Sequence, residues 1–189
     1  MHRRTVCQFE DAYDAAGIVH DCVPPAELLR AALNVDIFVA SDLPRARASA
    51  RRVARRREVL LSPLLREIRL EPPRWIPLRL PVAAWDVLSH LQWSYRLLVG
   101  ADHDSVRRAA AAADWLEQQA QRAATILVVT HGGFRRILAA NFIARGWRAV
   151  PGKMSYANWS SWEFERSRNS GRSTRRGHSP CVLGHDATS

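Results

Sequence analysis

Length, composition and charge restrict the chain to one globular domain of ordinary size. It has 189 residues, 47% of them hydrophobic, and a formal charge of +10 that rests almost entirely on arginine, since Lys153 is its one lysine. That charge predicts non-specific polyanion binding at low salt, but no zinc-finger spacing or RNA-binding aromatic motif accompanies it, so no specific nucleic-acid partner is expected.

Periodicity and turn signals predict alternating helices and strands. The first half is predicted as a helix over 24–33, a strand over 35–40, a helix over 41–60, and a Pro-broken connection over 61–80 with a short strand near residue 67. The second half is predicted as helices over 83–98 and 105–123, a strand over 125–130, a helix over 134–144 and a final strand over 154–165. Residues 166–189 are polar and lack periodicity, which predicts a disordered basic tail after a domain over 1–165.

The cysteines and apolar runs exclude two further classes of protein. Cys7, Cys22 and Cys181 are odd in number and lack metal-ligand spacing, which favours a reduced compartment over a disulfide scaffold or a metal site. No apolar run reaches the length of a membrane span, and residues 1–5 are not followed by an apolar region of the signal-peptide type. We therefore expect a cytoplasmic protein with no membrane partner.

The segment 125–137 (TILVVTHGGFRRI) carries the strongest sign of a binding site. An apolar, β-branched run precedes His131, Gly132 opens a glycine pair, and apolar residues at helical spacing come after it. His131 is thus placed where a strand ends and a helix begins, which is where open α/β sheets bind ligands. The helix N–H groups and the adjacent Arg135 and Arg136 favour a phosphate there. A histidine that only caps the turn is the structural alternative.

A second strand–helix junction presents an arginine. The apolar run 35–40 is followed by Ser41 and Asp42, which suit a helix cap, and by Pro44, which suits a first turn. Arg45 then lies near the start of a helix at the end of a second strand. Its guanidinium matches phosphate oxygens geometrically, although a solvated arginine in an Arg-rich helix is the alternative.

In this order and spacing, the two junctions resemble the histidine phosphatase superfamily, the phosphoglycerate-mutase-like proteins. VVTHGGFRRIL is similar to the family's second-histidine motif, with His131 as its histidine, and Ser41–Ala46 is similar to its Ser-Asp-Leu-x-Arg-Ala motif. Leu65–Ile68 looks like the acid-bearing Leu-x-Glu segment, and Asp104-Ser105-Val106 is similar to the family's Glu-Ser position. The resemblance implies a three-layer α/β/α sandwich around a mostly parallel sheet.

The start of the chain departs from the family pattern. The family opens with a central strand ending in Arg-His-Gly, whose histidine becomes phosphorylated, whereas this sequence begins Met1-His2-Arg3 with no strand before it. The resemblance places His2 at the nucleophile position if Met1 replaces the arginine and Arg3 the glycine, and residues 9–18 resemble the segment after this motif in some bacterial members. It also implies a sheet lacking its first central strand. A start codon assigned too late, a truncated inactive descendant and a chance histidine are the open explanations.

The resemblance implies a phosphomonoesterase acting through a phosphohistidine, or a weakly active or inactive remnant of one. The resemblance implies that the nucleophile is His2, the second histidine is His131 and the proton donor is Glu67. It also implies four phosphate contacts, namely Arg45, Arg3, Gly132 and Ser105. An ordinary surface carboxylate is the alternative for Glu67. No cofactor or metal is implied, and the substrate would be a small-molecule or protein phosphomonoester. The rival hypothesis is a noncatalytic phosphate- or polyanion-binding protein that uses the same pocket.

Overall fold

The computed structural model describes residues 3–19, 21–76, 79–151, 157–167 and 178–185, which form a six-stranded sheet flanked by helices. The helices are α1 (Arg3–Ala15), α2 (Ala26–Ala32), α3 (Pro44–Ala54), α4 (Val82–Leu98), α5 (His103–Ala120) and α6 (Gly132–Ala144). The strands are β1 (Ile37–Ser41), β2 (Val59–Ser62), β3 (Ile126–Thr130), β4 (Arg148–Ala149), β5 (Ser161–Ser167) and β6 (His178–His185). A 3-10 turn at Pro63–Leu65 follows β2.

The sheet has β3 near its centre, with a parallel neighbour on each side. The strand order is β2-β1-β3-β6-β5-β4, and β1 pairs in parallel with both β2 and β3. β6 is parallel to β3, whereas β5 runs antiparallel to both β6 and β4. The carboxyl ends of β2, β1, β3 and β6 therefore meet at one edge of the sheet, which we call the carboxyl edge.

Both faces of the sheet are covered because alternate strand residues enter two different cores. Ile126 and Val128 belong to a core with α5 and α6, whereas Leu127 and Val129 belong to a core with α2 and α3. A strand buried on both faces needs a continuous apolar run, which β3 has. The predicted three-layer, mostly parallel α/β class is therefore confirmed.

Several predicted bounds are wrong around the second strand. The helix predicted over 41–60 ends at Ala54, because Arg55 adopts a left-handed conformation with φ of 57° and its N–H closes the last turn on the Arg51 carbonyl. The last two residues predicted as helix, Val59 and Leu60, form the first half of β2, and its second half lies in the segment predicted as a connection. Glu67 lies in an irregular segment after this strand and not in a strand of its own.

The strand next to β3 on the side away from β1 is β6, which comes from the segment that was predicted as a tail. This strand pairs with β3 from Cys181 to His185 and with β5 from His178 to Gly184. The central position is therefore filled from the carboxyl-terminal part of the chain, while Arg3–Ala15 near the start is helical. Pro180, which has no N–H, lies just outside the β3 ladder and pairs with Glu165 in the β5 ladder, near the start of the strand.

Candidate active site

Adjacent parallel strands bring Arg45 and His131 to the carboxyl edge. Ala40 of β1 pairs with Val129 of β3, so the segments that leave the two strands start side by side. Arg45 lies in the first turn of α3, and His131 is the residue immediately before α6. Each is 1% exposed, so both side chains belong to the interior of this edge.

His131 is held by the backbone at the start of α6. Its conformation is extended, with φ of −111° and ψ of 159°, and its carbonyl accepts the Arg135 N–H at 2.9 Å to begin the helix. Below it, the Thr130 hydroxyl donates to the Leu65 carbonyl at 2.8 Å and ties the end of β3 to the segment after β2. The imidazole therefore emerges from a fixed backbone beside the first N–H groups of a helix.

Arg45 is in contact with the carboxyl-terminal end of α1. Its guanidinium donates to the Tyr13 carbonyl at 3.0 Å and to Asp14 Oδ1 at 3.2 Å and 3.3 Å, and it lies 4.5 Å from the centre of the Tyr13 ring. Asp14 keeps 53% of its side chain exposed. The carboxylate of Asp14 thus competes with phosphate for the guanidinium that was predicted to bind it.

Glu67 binds the first turn of α6. Its Oε1 accepts the N–H of Phe134 at 2.8 Å and the N–H of the next residue, Ile68, at 2.9 Å. Its Oε2 accepts the N–H of Gly133 at 3.3 Å. The carboxylate therefore satisfies N–H groups that a helix start leaves without intrahelical partners. This contact places the Glu67 carboxylate against the helical turn that follows His131, and it also gives Glu67 a structural role.

Gly133 is required by this close approach. A Cβ at this position would lie 2.6 Å and 2.7 Å from the Ile68 side chain and 2.9 Å from Glu67 Oε1, closer than real contacts permit. Ile68 is buried in the core, so it has little room to move. The second glycine of the motif is thus explained by packing of the Glu67 segment against α6.

Two arginines fix the segment that carries Glu67. Arg108 of α5 donates to the carbonyls of Glu67 at 3.0 Å and of Arg66, and lies 4.4 Å from the centre of the Phe134 ring; its burial lowers its pKa from the ordinary value. Arg66 forms a two-pronged pair with Asp42, at 2.7 Å and 2.6 Å. Hydrogen bonding to Arg66 is the main reason that the pKa of Asp42 is lowered.

The remaining predicted site residues are not all brought to Arg45. Ser105 lies in the first turn of α5, where its N–H is capped by Asp102. Arg3 begins α1, and Asp14 at the other end of that helix is the residue that touches Arg45. Eleven residues of α-helix span about 16 Å, so the structure separates Arg3 from the Arg45 guanidinium. His2 lies outside the described residues.

Sequence reasoning missed the contacts that arrive from distant segments. Asp14 and Arg108 come from helices whose sequence gives no sign of which strand end they approach. Arg135 was placed near the site, but not its partners: it is fully buried, stacks on Trp162 at 4.3 Å, and donates to the Ser160 carbonyl and hydroxyl at 3.0 Å and 3.2 Å. The signal in the sequence was an arginine in the first turn of the helix that follows His131.

Among the described residues, no cluster of three or more histidine, cysteine, aspartate or glutamate side chains is arranged to hold a metal ion. Nor does any helix formed by those residues have the length and apolar character needed to cross a membrane.

Comparisons with known proteins identify the family and the fold. The family model of the histidine phosphatase superfamily (branch 1) matches residues 25–175. A similar solved structure is a mutant phosphoserine phosphatase from Entamoeba histolytica in complex with phosphoserine, with 17% identity and a TM-score of 0.50 over 91% of this chain and 88% of that one. No curated protein matches the sequence. Because the family model matches well over half of the sequence, the chain belongs to branch 1 of the histidine phosphatase superfamily.

Proposed function

We propose that the protein is a phosphomonoesterase that forms a phosphohistidine intermediate at the carboxyl edge. The observation that carries the proposal is the position of two buried side chains, Arg45 and His131, after the ends of adjacent parallel strands, with His131 at the start of α6. Phosphoryl transfer needs fixed positive charge and hydrogen-bond donors around the equatorial oxygens more than it needs covalent chemistry from the protein. Family membership supports the same reaction class.

In this proposal the phosphoryl oxygens are bound by Arg45, His131 and the Gly132 N–H, with Ser105 as a further contact. The Gly133 and Phe134 N–H groups bind Glu67, so the anion is assigned to the very first donor of the helix. The substrate class is a phosphomonoester of a small molecule or a protein, and the similar structure contains one such compound, phosphoserine. We assign the reaction to the cytoplasm.

A noncatalytic phosphate- or polyanion-binding function is the second candidate, and one contact favours it. Asp14 already occupies the Arg45 guanidinium, as a resident carboxylate does in a site that binds anions weakly. The two candidates differ in turnover. Both require Arg45 for anion binding, but only the first requires that bound phosphomonoester be hydrolysed.

Hydrolysis of an aryl phosphate by the full chain tests the proposal. His131→Ala and Arg45→Ala should each lower kcat/KM by about two orders of magnitude or more, because each removes a fixed transition-state contact. Arg51→Ala is the matched control, since Arg51 lies on the same helix as Arg45 but is exposed. Phosphate binding that depends on Arg45, without any turnover, would support the noncatalytic candidate instead.

The proposed proton donor, Glu67, is tested by the choice of leaving group. A general acid matters most when the leaving oxygen is strongly basic, so Glu67→Gln should slow an alkyl phosphate by about 10²–10⁴-fold and an activated aryl phosphate much less. If Glu67 serves only to bind the start of α6, both substrates should slow equally. Equal slowing would therefore refute the acid role while leaving the phosphatase assignment intact.

A further inference from the structure

We propose that His185, the last residue of β6, is the nucleophile of this site. Its backbone position is fixed by register, because β6 runs parallel to β3 and His185 pairs with Thr130. Thr130 is followed directly by His131, so two histidines stand at neighbouring strand ends on the carboxyl edge. The inference rests on the phosphomonoesterase function proposed above and names the residue that attacks phosphorus.

The strand order places this histidine on the correct side of the phosphate contacts. Neighbouring strands are about 5 Å apart, so the backbone of His185 lies within that distance of the end of β3. β1, which leads to Arg45, lies on the other side of β3. A phosphoryl group bound over the end of β3 would therefore have Arg45 on one side, to bind its oxygens, and His185 on the other, to attack phosphorus.

The β5 side of β6 supplies a second guanidinium to the same region. Ser161 pairs with Gly184 in the antiparallel ladder, so Ser160, the residue just before β5, lies across from His185. Arg135 donates two hydrogen bonds to Ser160 and is fully buried. Positive charge is thus held close to the end of β6, where it would stabilise the charge on a transferred phosphoryl group.

His131, the other described histidine at this edge, suits a different role, and His2 lies outside the described residues. His131 follows the central strand and begins α6, where it suits a fixed contact to the phosphoryl oxygens. By register, His185 is the described histidine that neighbours His131 without sharing its strand.

The proposed reaction balances in two steps. An imidazole nitrogen of His185 donates its lone pair to phosphorus as the ester P–O bond breaks, and the leaving oxygen takes a proton from the acid, in our assignment Glu67. Water then attacks the phosphohistidine, the P–N bond breaks, and inorganic phosphate leaves. One proton from the attacking water returns to the acid, so no cofactor or oxidant is consumed.

Trapping of the phosphoenzyme with an aryl phosphate tests the assignment in the full chain. The wild-type protein is quenched during turnover, and the phosphorylated peptide is identified by mass spectrometry under conditions that preserve phosphohistidine. We expect the phosphoryl group on His185, and we expect His185→Asn to lose both the label and at least 10³-fold in kcat. His178→Ala is the matched control, because His178 begins the same strand, about 23 Å from its other end, and should keep normal labelling.

Binding of inorganic phosphate and cooperative thermal unfolding show whether His185→Asn retains a folded site. A label on His131 or His2, or full activity of His185→Asn, would overturn the assignment while the phosphomonoesterase function stands. Loss of labelling in His178→Ala would equally count against it, since the effect would then belong to the strand and not to its last residue. A wild-type chain with neither turnover nor label would contradict the phosphomonoesterase function and the nucleophile assignment together.

Discussion

Removal of the Asp14 charge should make the protein bind phosphate more tightly. Asp14 Oδ1 lies 3.2 Å from an Arg45 Nη atom, so a phosphate bound to the same guanidinium would have a carboxylate as its neighbour. Asp14→Asn keeps an oxygen that can accept the Arg45 hydrogen bonds and removes only the negative charge. The change therefore isolates the electrostatic part of the competition.

The size of the effect follows from Coulomb's law for an exposed group. Asp14 is 53% exposed, so a water-like dielectric is appropriate. Two acceptors that share one guanidinium lie about 5 Å apart. At that distance the repulsion between the Asp14 carboxylate and the phosphate is about 0.8 kcal/mol for each unit of phosphate charge, or about 1.7 kcal/mol for a dianion. Salt screening at physiological ionic strength lowers this to about 0.9 kcal/mol. We expect phosphate affinity to rise about 5- to 20-fold.

Inhibition of aryl phosphate hydrolysis by inorganic phosphate, at about pH 8 and at two salt concentrations, measures the change. The gain should shrink as salt is added, because the repulsion it removes is screened. Asp11→Asn is the matched control, since Asp11 lies on the same helix but pairs with Arg69 at 2.7 Å. An Asp14→Asn variant whose phosphate affinity is unchanged or weaker would refute the placement of α1 over the binding arginine.

Two further predictions concern stability. Gly133→Ala should lower the free energy of unfolding by about 1–3 kcal/mol, because the added methyl group overpacks the contact with Ile68 and Glu67. Gly17→Ala is the control, since its Cβ would meet nothing within 4 Å and should not lower the stability. Urea denaturation compares the two variants, and equal stabilities would contradict the close packing at Gly133. Asp42 has a lowered pKa through Arg66, so its contribution is present above its unfolded pKa of about 3.9 and is lost as pH falls through the lower folded value. The difference in unfolding free energy between wild type and Asp42→Asn should therefore shrink from pH 7 to pH 3. Asp104→Asn is the control, because Asp104 is exposed and its replacement should change the stability little at either pH. A difference for Asp42→Asn that grows in acid would contradict the lowered pKa.

Local sequence was sufficient to predict the elements on either side of His131. β3 is a continuous β-branched run buried on both faces, and α6 has apolar residues at helical spacing, so each is specified by its own residues. The same holds for the junction at Arg45. Both junctions join a buried strand to a helix, and the expectation that their ends meet at one sheet edge needs only right-handed crossovers between parallel strands.

The missed elements depend on partners far away in sequence. β6 contains Pro180 and Gly184, two residues that weaken a strand assignment, and its ladders join it to β3 and β5. The start of β2 was predicted as helix because the Arg-rich run before it has good helix propensity and Arg55 ends the helix without a glycine. Strand propensity is decided largely by neighbours in the sheet, so such segments are visible only after the sheet is assembled.

The place of β6 in the sheet can be tested by a single proline. Val182 pairs with Leu127 of β3 on one side and with Glu163 of β5 on the other, so its backbone lies within a sheet that continues in both directions. Val182→Pro removes its N–H and leaves a ladder acceptor without a donor, at a cost of about 1–3 kcal/mol for one buried group and more if the strand detaches. Against a total stability of about 5–15 kcal/mol, this should lower the unfolding midpoint markedly in thermal and urea denaturation. Val182→Thr keeps the N–H and the β-branched shape and should be much milder. If Val182→Pro unfolded like the wild type, β6 could not be a central strand, and the sheet position assigned to His185 would be wrong with it.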